Sequence, residues 1–206
     1  VPDRRREILE AAHALLAEKG EHGRTGLSVR EVAARAGIGA STLRHYFPSQ
    51  GALYEAVVVD AFHAQVSDLR IADATVPAGE RLAECLQQFL PPDEEARPQL
   101  AAWLAMYAVA AGPEQSGPAR SLLTTLIAQG RSRVDAWLAL LQEQGALADT
   151  GREHLTTLLT STVDGLCLGL LAPGSTLSLA EARGMLREVV DAVAVRREGG
   201  AQPSSG

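Results

Sequence analysis

SVREVAARAGIGASTLRHYF, residues 28–47, decides the fold of this chain. Val29, Val32, Ala33 and Ala36 recur at helical spacing, so the first half reads as a short helix with one buried face. Ser28 and Glu31 stand three apart, the pattern of a capping box that opens it. Gly37-Ile38-Gly39 breaks the run, because glycine accepts the left-handed backbone that a sharp helix exit needs. Ile38 offers an apolar plug between the helices. A second helix, from about Ala40 to Phe47, buries Leu43 and Phe47 one turn apart and leaves Ala40, Ser41, Arg44 and His45 mostly outward; Pro48 ends it. Helix, glycine turn and helix together form a helix-turn-helix, whose second helix enters the DNA major groove.

The flanks extend this pattern. RREILEAAHALLAEKG (residues 5–20), SVREVAARAGI (28–38) and STLRHYFPSQGAL (41–53) stand in one order and spacing. From Arg4 to about Val58 the chain resembles the DNA-binding domain of the TetR family of bacterial repressors. The resemblance implies a recognition helix that presents Ala40, Ser41, Thr42, Arg44, His45 and Tyr46 to DNA. By their positions, Thr25 and Arg30 are candidates for contacts to the DNA backbone, and Gln50 is a further DNA-binding candidate. Chemistry fits these roles: Ser and Thr hydroxyls near a helix N-terminus can meet phosphate, and a guanidinium can pair with guanine O6 and N7. Arg44 reads a base or clamps a phosphate, and His45 touches DNA or is a plain surface histidine. Tyr46 is expected to pack its ring beneath the helix with the hydroxyl reaching phosphate. Arg4, Arg5 and Arg6 form a basic arm or a solvated charge run. Three positions depart from the commonest family pattern: Arg44 where many members carry Tyr, Gln50 where many carry Lys, and Gly51 where an acidic residue is frequent.

Composition agrees with a helical regulator. Ala, Leu, Glu and Arg dominate the 206 residues and aromatics make up only 4%, which favours an all-α fold. The net charge of −6 argues at first against a nucleic-acid partner. Its distribution reverses that: residues 1–54 carry eight Lys/Arg against six Asp/Glu, and the remaining 152 carry 11 against 19. The positive balance sits where phosphate would be met, and an acidic remainder helps to orient the approach. No uninterrupted apolar window of about 18 residues marks a membrane helix, and no signal peptide follows the charged start. Cys85 and Cys167 have neither disulfide-framework nor metal spacing. The expected location is the cytoplasm, with no membrane partner.

Apolar periodicity gives about nine helices, at roughly 3–19, 29–36, 40–47, 49–71, 77–90, 94–111, 118–145, 151–171 and 179–197. Gly130 is a possible bend in the seventh. Ser49 is a good N-cap for the fourth, and Thr150/Glu153 and Ser178/Glu181 are capping boxes for the last two. The expected division is a three-helix DNA-binding domain over 1–48, a helical ligand-binding and dimerisation domain over 49–198, and a disordered tail over 199–206. Helices eight and nine carry wider apolar stripes than one packing face requires. Either both lie inside one subunit, or two copies pair them in a four-helix bundle; the family resemblance implies the second, a homodimer reading a near-palindromic operator.

The remaining candidates concern a small effector, whose binding would change the spacing of the two reading heads. Phe62, Gln65, Cys85, Phe89, Trp103, Met106, Tyr107, Trp137 and Cys167 are the cavity-lining candidates, each also a plausible core or surface residue. Trp103 and Tyr107 stand four apart on one helix face with Met106 adjoining, a wall for a mainly apolar molecule. No HExxH, CxxC, GxSxG, P-loop or dinucleotide fingerprint occurs, so no catalytic residue, metal or cofactor is expected. The sequence thus predicts a ligand-responsive transcriptional regulator, most simply a repressor. The alternative is a small-molecule-binding bundle or an enzyme that binds no operator.

Overall fold

A computed structural model describes residues 3–19, 27–112, 117–147 and 151–193. Thr25, the Thr150 cap and the 199–206 tail lie outside the described residues. Among those described, the elements are α1 (Arg4–Lys19), α2 (Val29–Arg35), α3 (Ala40–Tyr46), α4 (Gln50–Gln65), α5 (Ala78–Gln87), α6 (Arg97–Ala111), α7 (Gly117–Glu143), α8 (Arg152–Leu171) and α9 (Leu179–Val193), with no β-strand element. They form two compact units, Val1–Gln65 and Val66–Gly206.

The first unit closes around Ile8, Leu9 and Ala12 of α1, Val32 of α2, Leu43 and Phe47, and Leu53 and Val57 of α4, all buried. Three polar contacts brace this core. Arg35 of α2 pairs with Glu18 of α1 at 2.7 Å. His13 of α1 meets Asp60 of α4 at 2.9 Å. The Arg5 guanidinium sits 5.4 Å from the centre of the Phe47 ring, within the range of a cation–π contact.

Gly37 makes the expected turn, at φ +66°. Its N–H donates to the Ala34 carbonyl and that of Ile38 to the Ala33 carbonyl, at 3.2 and 3.0 Å. These are the two bonds of a Schellman motif, and they satisfy carbonyls that the end of α2 would leave unpaired. Ile38 is half-buried against the core, as a plug should be. At the other end of α2, Ser28 holds the N-cap position with extended backbone, yet its side chain makes no capping bond. Ser49 does cap α4, accepting from the Ala52 N–H at 3.0 Å.

The fourth helix is shorter than its apolar spacing suggests and ends at Gln65. Val66 and Ile71, which continue the spacing, are both buried. They reach the interior from a turn in which Leu69 adopts φ +43°. Burial at helical intervals mimicked a helix that the backbone does not make.

In the second unit α7 packs against α6 and α8, while α9 packs against α5 and α8. Leu82, Leu86, Trp137, Leu138, Leu141, Leu155, Leu159 and Leu186 form the fully buried interior. α7 runs through Gly130 as one helix of 27 residues. The Ser178/Glu181 box closes in both directions: the Ser178 N–H donates to the Glu181 carboxylate at 2.8 Å, and the Glu181 N–H to the Ser178 hydroxyl at 3.2 Å. α8 is long and apolar enough to cross a bilayer by length and composition alone. Here it carries Asp164 and packs against α6, α7 and α9, so part of its apolar surface is used for helix packing.

Candidate nucleic-acid interface and effector site

α3 is only seven residues long, and its sides are sharply divided. Leu43 is fully buried and Phe47, at its C-cap, nearly so. Ser41, Thr42, Arg44, His45 and Tyr46 are exposed and Ala40 is half-exposed. Arg44 and Arg30 make no ion pair or hydrogen bond among the described residues, which leaves both guanidinium groups facing solvent. The Tyr46 ring is 39% exposed and meets the edge of His45, centroids 5.5 Å apart. It stands beside His45 on the outer face, where packing beneath the helix was expected. The exposed hydroxyls, guanidinium, imidazole and phenol of this helix offer donors and acceptors of the kinds that meet base edges and phosphates.

Gln50 is exposed and also makes a bond within the unit. Its amide nitrogen donates to the Leu27 carbonyl at 2.9 Å, tying the start of α4 to the residue just before the α2 cap. Sequence reasoning placed Gln50 by its rank in the motif; a bond spanning 23 positions leaves no local signature.

The effector candidates fall in both units. Phe62 and Gln65 belong to α4 in the first; the Phe62 ring meets His63 edge-on at 6.0 Å and Gln65 is exposed. In the second unit, four candidates link into a series. The Cys85 thiol of α5 contacts the Asp68 carbonyl at 3.4 Å, and the Trp137 indole N–H donates to the Asp68 carboxylate at 2.8 Å. Trp137 lies 6.0 Å from the Phe89 ring, and the Cys167 thiol of α8 contacts the Phe89 carbonyl at 3.7 Å. Cys85 and Trp137 are fully buried and Phe89 and Cys167 partly so.

On α6, Trp103 and Tyr107 meet edge-to-face at 5.5 Å and are half-buried together with Met106. On α8, near enough for its charge to act on the Tyr107 phenol, is a carboxylate that periodicity could not single out, Asp164. Although the residue as a whole is exposed, its carboxyl group is desolvated enough to raise its pKa. Burial raises the Tyr107 phenol, and the Asp164 charge adds to it. The Cys167 thiol is pushed up to about 11, again by burial first and Asp164 second. A partly desolvated carboxylate near the Tyr107 ring disfavours further negative charge and favours a cation. Among the described residues no three His, Cys, Asp or Glu side chains gather to hold a metal.

Similarity to known proteins follows this geometry. Residues 8–57 match the family described as bacterial regulatory proteins, tetR family. Residues 78–195 match the C-terminal domain described as that of BetI-type transcriptional repressors. The chain is 28% identical over 199 residues to the HTH-type transcriptional regulator BetI of Cronobacter sakazakii, covering 92% of this chain and 90% of that one. It is 33% identical over 110 residues to the regulator PksA of Bacillus subtilis, a match spanning about half of each protein, 52% and 51%. Among solved structures, a TetR-family regulator from Rhodococcus sp. superposes with a TM-score of 0.62 at 25% identity, over 94% of this chain and 99% of that one. A regulator from Saccharomonospora viridis, solved in complex with choline, shares the fold with a TM-score of 0.59 at 24% identity, over 94% and 98%. An exposed polar helix on a helix-turn-helix, a helical second unit and these matches agree: the chain belongs to the TetR family of transcriptional regulators and has a DNA-binding and a ligand-binding domain.

Proposed function

We propose that this protein represses transcription in the bacterial cytoplasm by binding a near-palindromic operator as a homodimer, and that a small organic cation releases it. The observation that carries the reading is the division of α3: Leu43 and Phe47 are buried, while Ser41, Thr42, Arg44, His45 and Tyr46 stay exposed. A helix that buries only its scaffold-facing side chains keeps the others for a partner.

The dimer reading rests on α8 and α9. Between them runs an open groove of about 520 Å³ lined by residues such as Leu166, Met185 and Val189, and Met185 and Leu168 are 48% and 52% exposed. A second copy of the same helix pair would cover these apolar side chains and set two reading heads at a fixed separation.

The effector reading rests on the Trp103–Tyr107 ring pair and on Asp164, whose charge reaches Tyr107, a combination suited to an organic ammonium group. The BetI-type domain match and the choline complex of the Saccharomonospora protein support the same class. Such a molecule is apolar apart from one charge, in keeping with a mainly apolar cavity. Selecting duplexes from a random pool with the full chain, with and without choline, tests the proposal. An enriched near-palindrome whose binding choline weakens supports it; no enrichment overturns it. Light scattering that finds a monomer at micromolar concentration overturns the dimer.

A further inference from the structure

The three arginines at the start of α1 are alike in sequence and unlike in structure. Arg4 spends its guanidinium on Glu7, one turn on, at 2.5 Å. Arg6 reaches Glu10 at 3.5 Å. Arg5 meets no carboxylate among the described residues; its guanidinium stands over the Phe47 ring, 5.4 Å from the centroid. Opposite charges three or four apart on a helix offset one another, so Arg4 and Arg6 are partly neutralised where they stand. Arg5 keeps its full charge.

Its place is as distinctive as its pairing. Phe47 is the C-cap of α3, its N–H donating to the Leu43 carbonyl at 2.9 Å, and it is only 3% exposed. The Arg5 cation therefore lies at the end of α3 where Arg44, His45 and Tyr46 are exposed. Its backbone is fixed as well. Asp3 holds the start of α1, the carboxylate accepting the Arg5 N–H at 3.2 Å and the carbonyl accepting the Glu7 N–H at 3.1 Å. A cation–π contact draws on the charge of a guanidinium and not on its N–H donors. Arg5 is exposed, so those donors face whatever approaches this end of α3.

Given the DNA-reading role of α3, we propose that Arg5 clamps a backbone phosphate of the duplex beside the C-terminal end of that helix, with Phe47 holding it in position. A planar fork of N–H donors matches a phosphate. A side chain already seated on a ring loses less freedom when that phosphate arrives. Its anchor belongs to the core and not to the exposed face of α3, which suits contact with a strand backbone better than with a base edge.

Salt dependence tests this with the full chain and a fluorescent random-sequence duplex. Each phosphate contact adds about 0.9 to the slope of log affinity against log salt. Arg5→Ala should flatten that slope by about 0.9 for each reading head engaged. Over a fourfold rise in salt, this shrinks the wild-type advantage about 3.5-fold per head. Arg5→Lys keeps the charge and should restore most of the slope. Arg6→Ala is the matched control, because Glu10 already holds its cation, and should leave the slope almost unchanged. Phe47→Leu keeps an apolar side chain in the core and removes the ring; Phe47→Met serves if that variant does not fold. In either background Arg5→Ala should cost less affinity than it does in the wild type.

An Arg5 that only shields Phe47 from water would lower stability and leave the slope alone, which overturns the proposal. Equal flattening in Arg6→Ala overturns it too, since the arm would then be a diffuse charge run. Strict additivity with the Phe47 variant overturns the positioning by the ring. On the enriched duplex the Arg5→Ala loss should match that on random duplex within about twofold; a larger loss there makes Arg5 a base reader and sinks the phosphate assignment. A wild type that binds random duplex with no Arg5 effect refutes the clamp alone. A wild type that binds no duplex refutes the repressor reading with it.

Discussion

The two units place their polar side chains in opposite ways. On α3 the polar groups point outward and Arg44 is left without a partner among the described residues, so the surface is unfinished until DNA completes it. In the second unit several polar groups are paired with one another: Arg81, 3% exposed, bonds Gln144 and a backbone carbonyl, and the exposed Asp68 carboxylate holds both Arg133 and buried Trp137. A large charged ligand such as a duplex can be met at the periphery by a few flexible donors. A small effector must be enclosed, so its site needs a packed, mostly paired surround. The difference also sorts stability from affinity: removing a polar group from α3 should cost binding alone, whereas removing one from the second unit should also cost folding.

The largest effect should come from breaking the support of α3. Leu43→Ala removes a fully buried side chain from the first unit and should lower stability by about 2–5 kcal/mol, read from chemical denaturation. Operator binding should disappear while choline binding to the second unit remains. An equal loss of both would show that the two units do not behave as separately as their cores suggest.

Arg44→Ala comes next. If Arg44 reads a base, specific operator affinity should fall by about 1–3 kcal/mol with little change on random duplex and none in stability. Equal losses on operator and random DNA would make it a phosphate contact.

A cap in the second unit should show the opposite behaviour. Ser178→Ala opens the box at the start of α9 and should cost about 1 kcal/mol of stability with operator contacts untouched. The Ser178 backbone N–H and hydroxyl hold the Glu181 carboxyl below its ordinary 4.5. The stabilisation is therefore complete above that value and lost as pH falls through the lowered one. Urea titrations across that window should show the Ser178→Ala penalty shrinking with acidification, and a constant penalty would mean that the hydroxyl–carboxylate bond contributes nothing, since the variant keeps the backbone N–H bond.

The smallest effect concerns Asp164. Its pKa is raised by desolvation, so its ionised form strains the fold, and the favourable contribution of the neutral form fades as pH rises through the raised value. Asp164→Asn should leave stability at neutral pH equal or slightly improved. Choline binding should weaken up to about fivefold, the worth of a partly exposed ion pair. Calorimetric titrations should find that choline affinity in the wild type drops as pH falls through the raised pKa and that the variant loses this dependence.

The same division explains what could be read in the sequence. The helix-turn-helix was legible because its determinants are local: Leu43 and Phe47 sit one turn apart, Gly37 carries the turn, and the exposed face follows from the buried one. Helix identities in the second unit were legible for the same reason, as was the Ser178/Glu181 cap. The effector site was only half legible. Trp103 and Tyr107 share a helix and could be paired by spacing, but Asp164 lies on α8 and comes near Tyr107 only through packing. Gln50 reaches Leu27 across 23 positions, and Asp68 reaches Trp137 across 69; neither contact leaves a period to detect. The end of α4 misled for a related reason, since Val66 and Ile71 are buried like helix residues while serving a turn.

The turn at Gly37 has a wider consequence. A Cβ atom placed there would meet no atom within 4 Å, so crowding at that atom does not enforce glycine at this corner. Only backbone torsion does, at about 1–2 kcal/mol for an ordinary L-residue held in the left-handed region. Variation at this corner is therefore graded rather than forbidden. A descendant protein could acquire asparagine there, the residue that tolerates this torsion best, and so gain a new amide at the elbow of the reading head without rebuilding what lies beneath it.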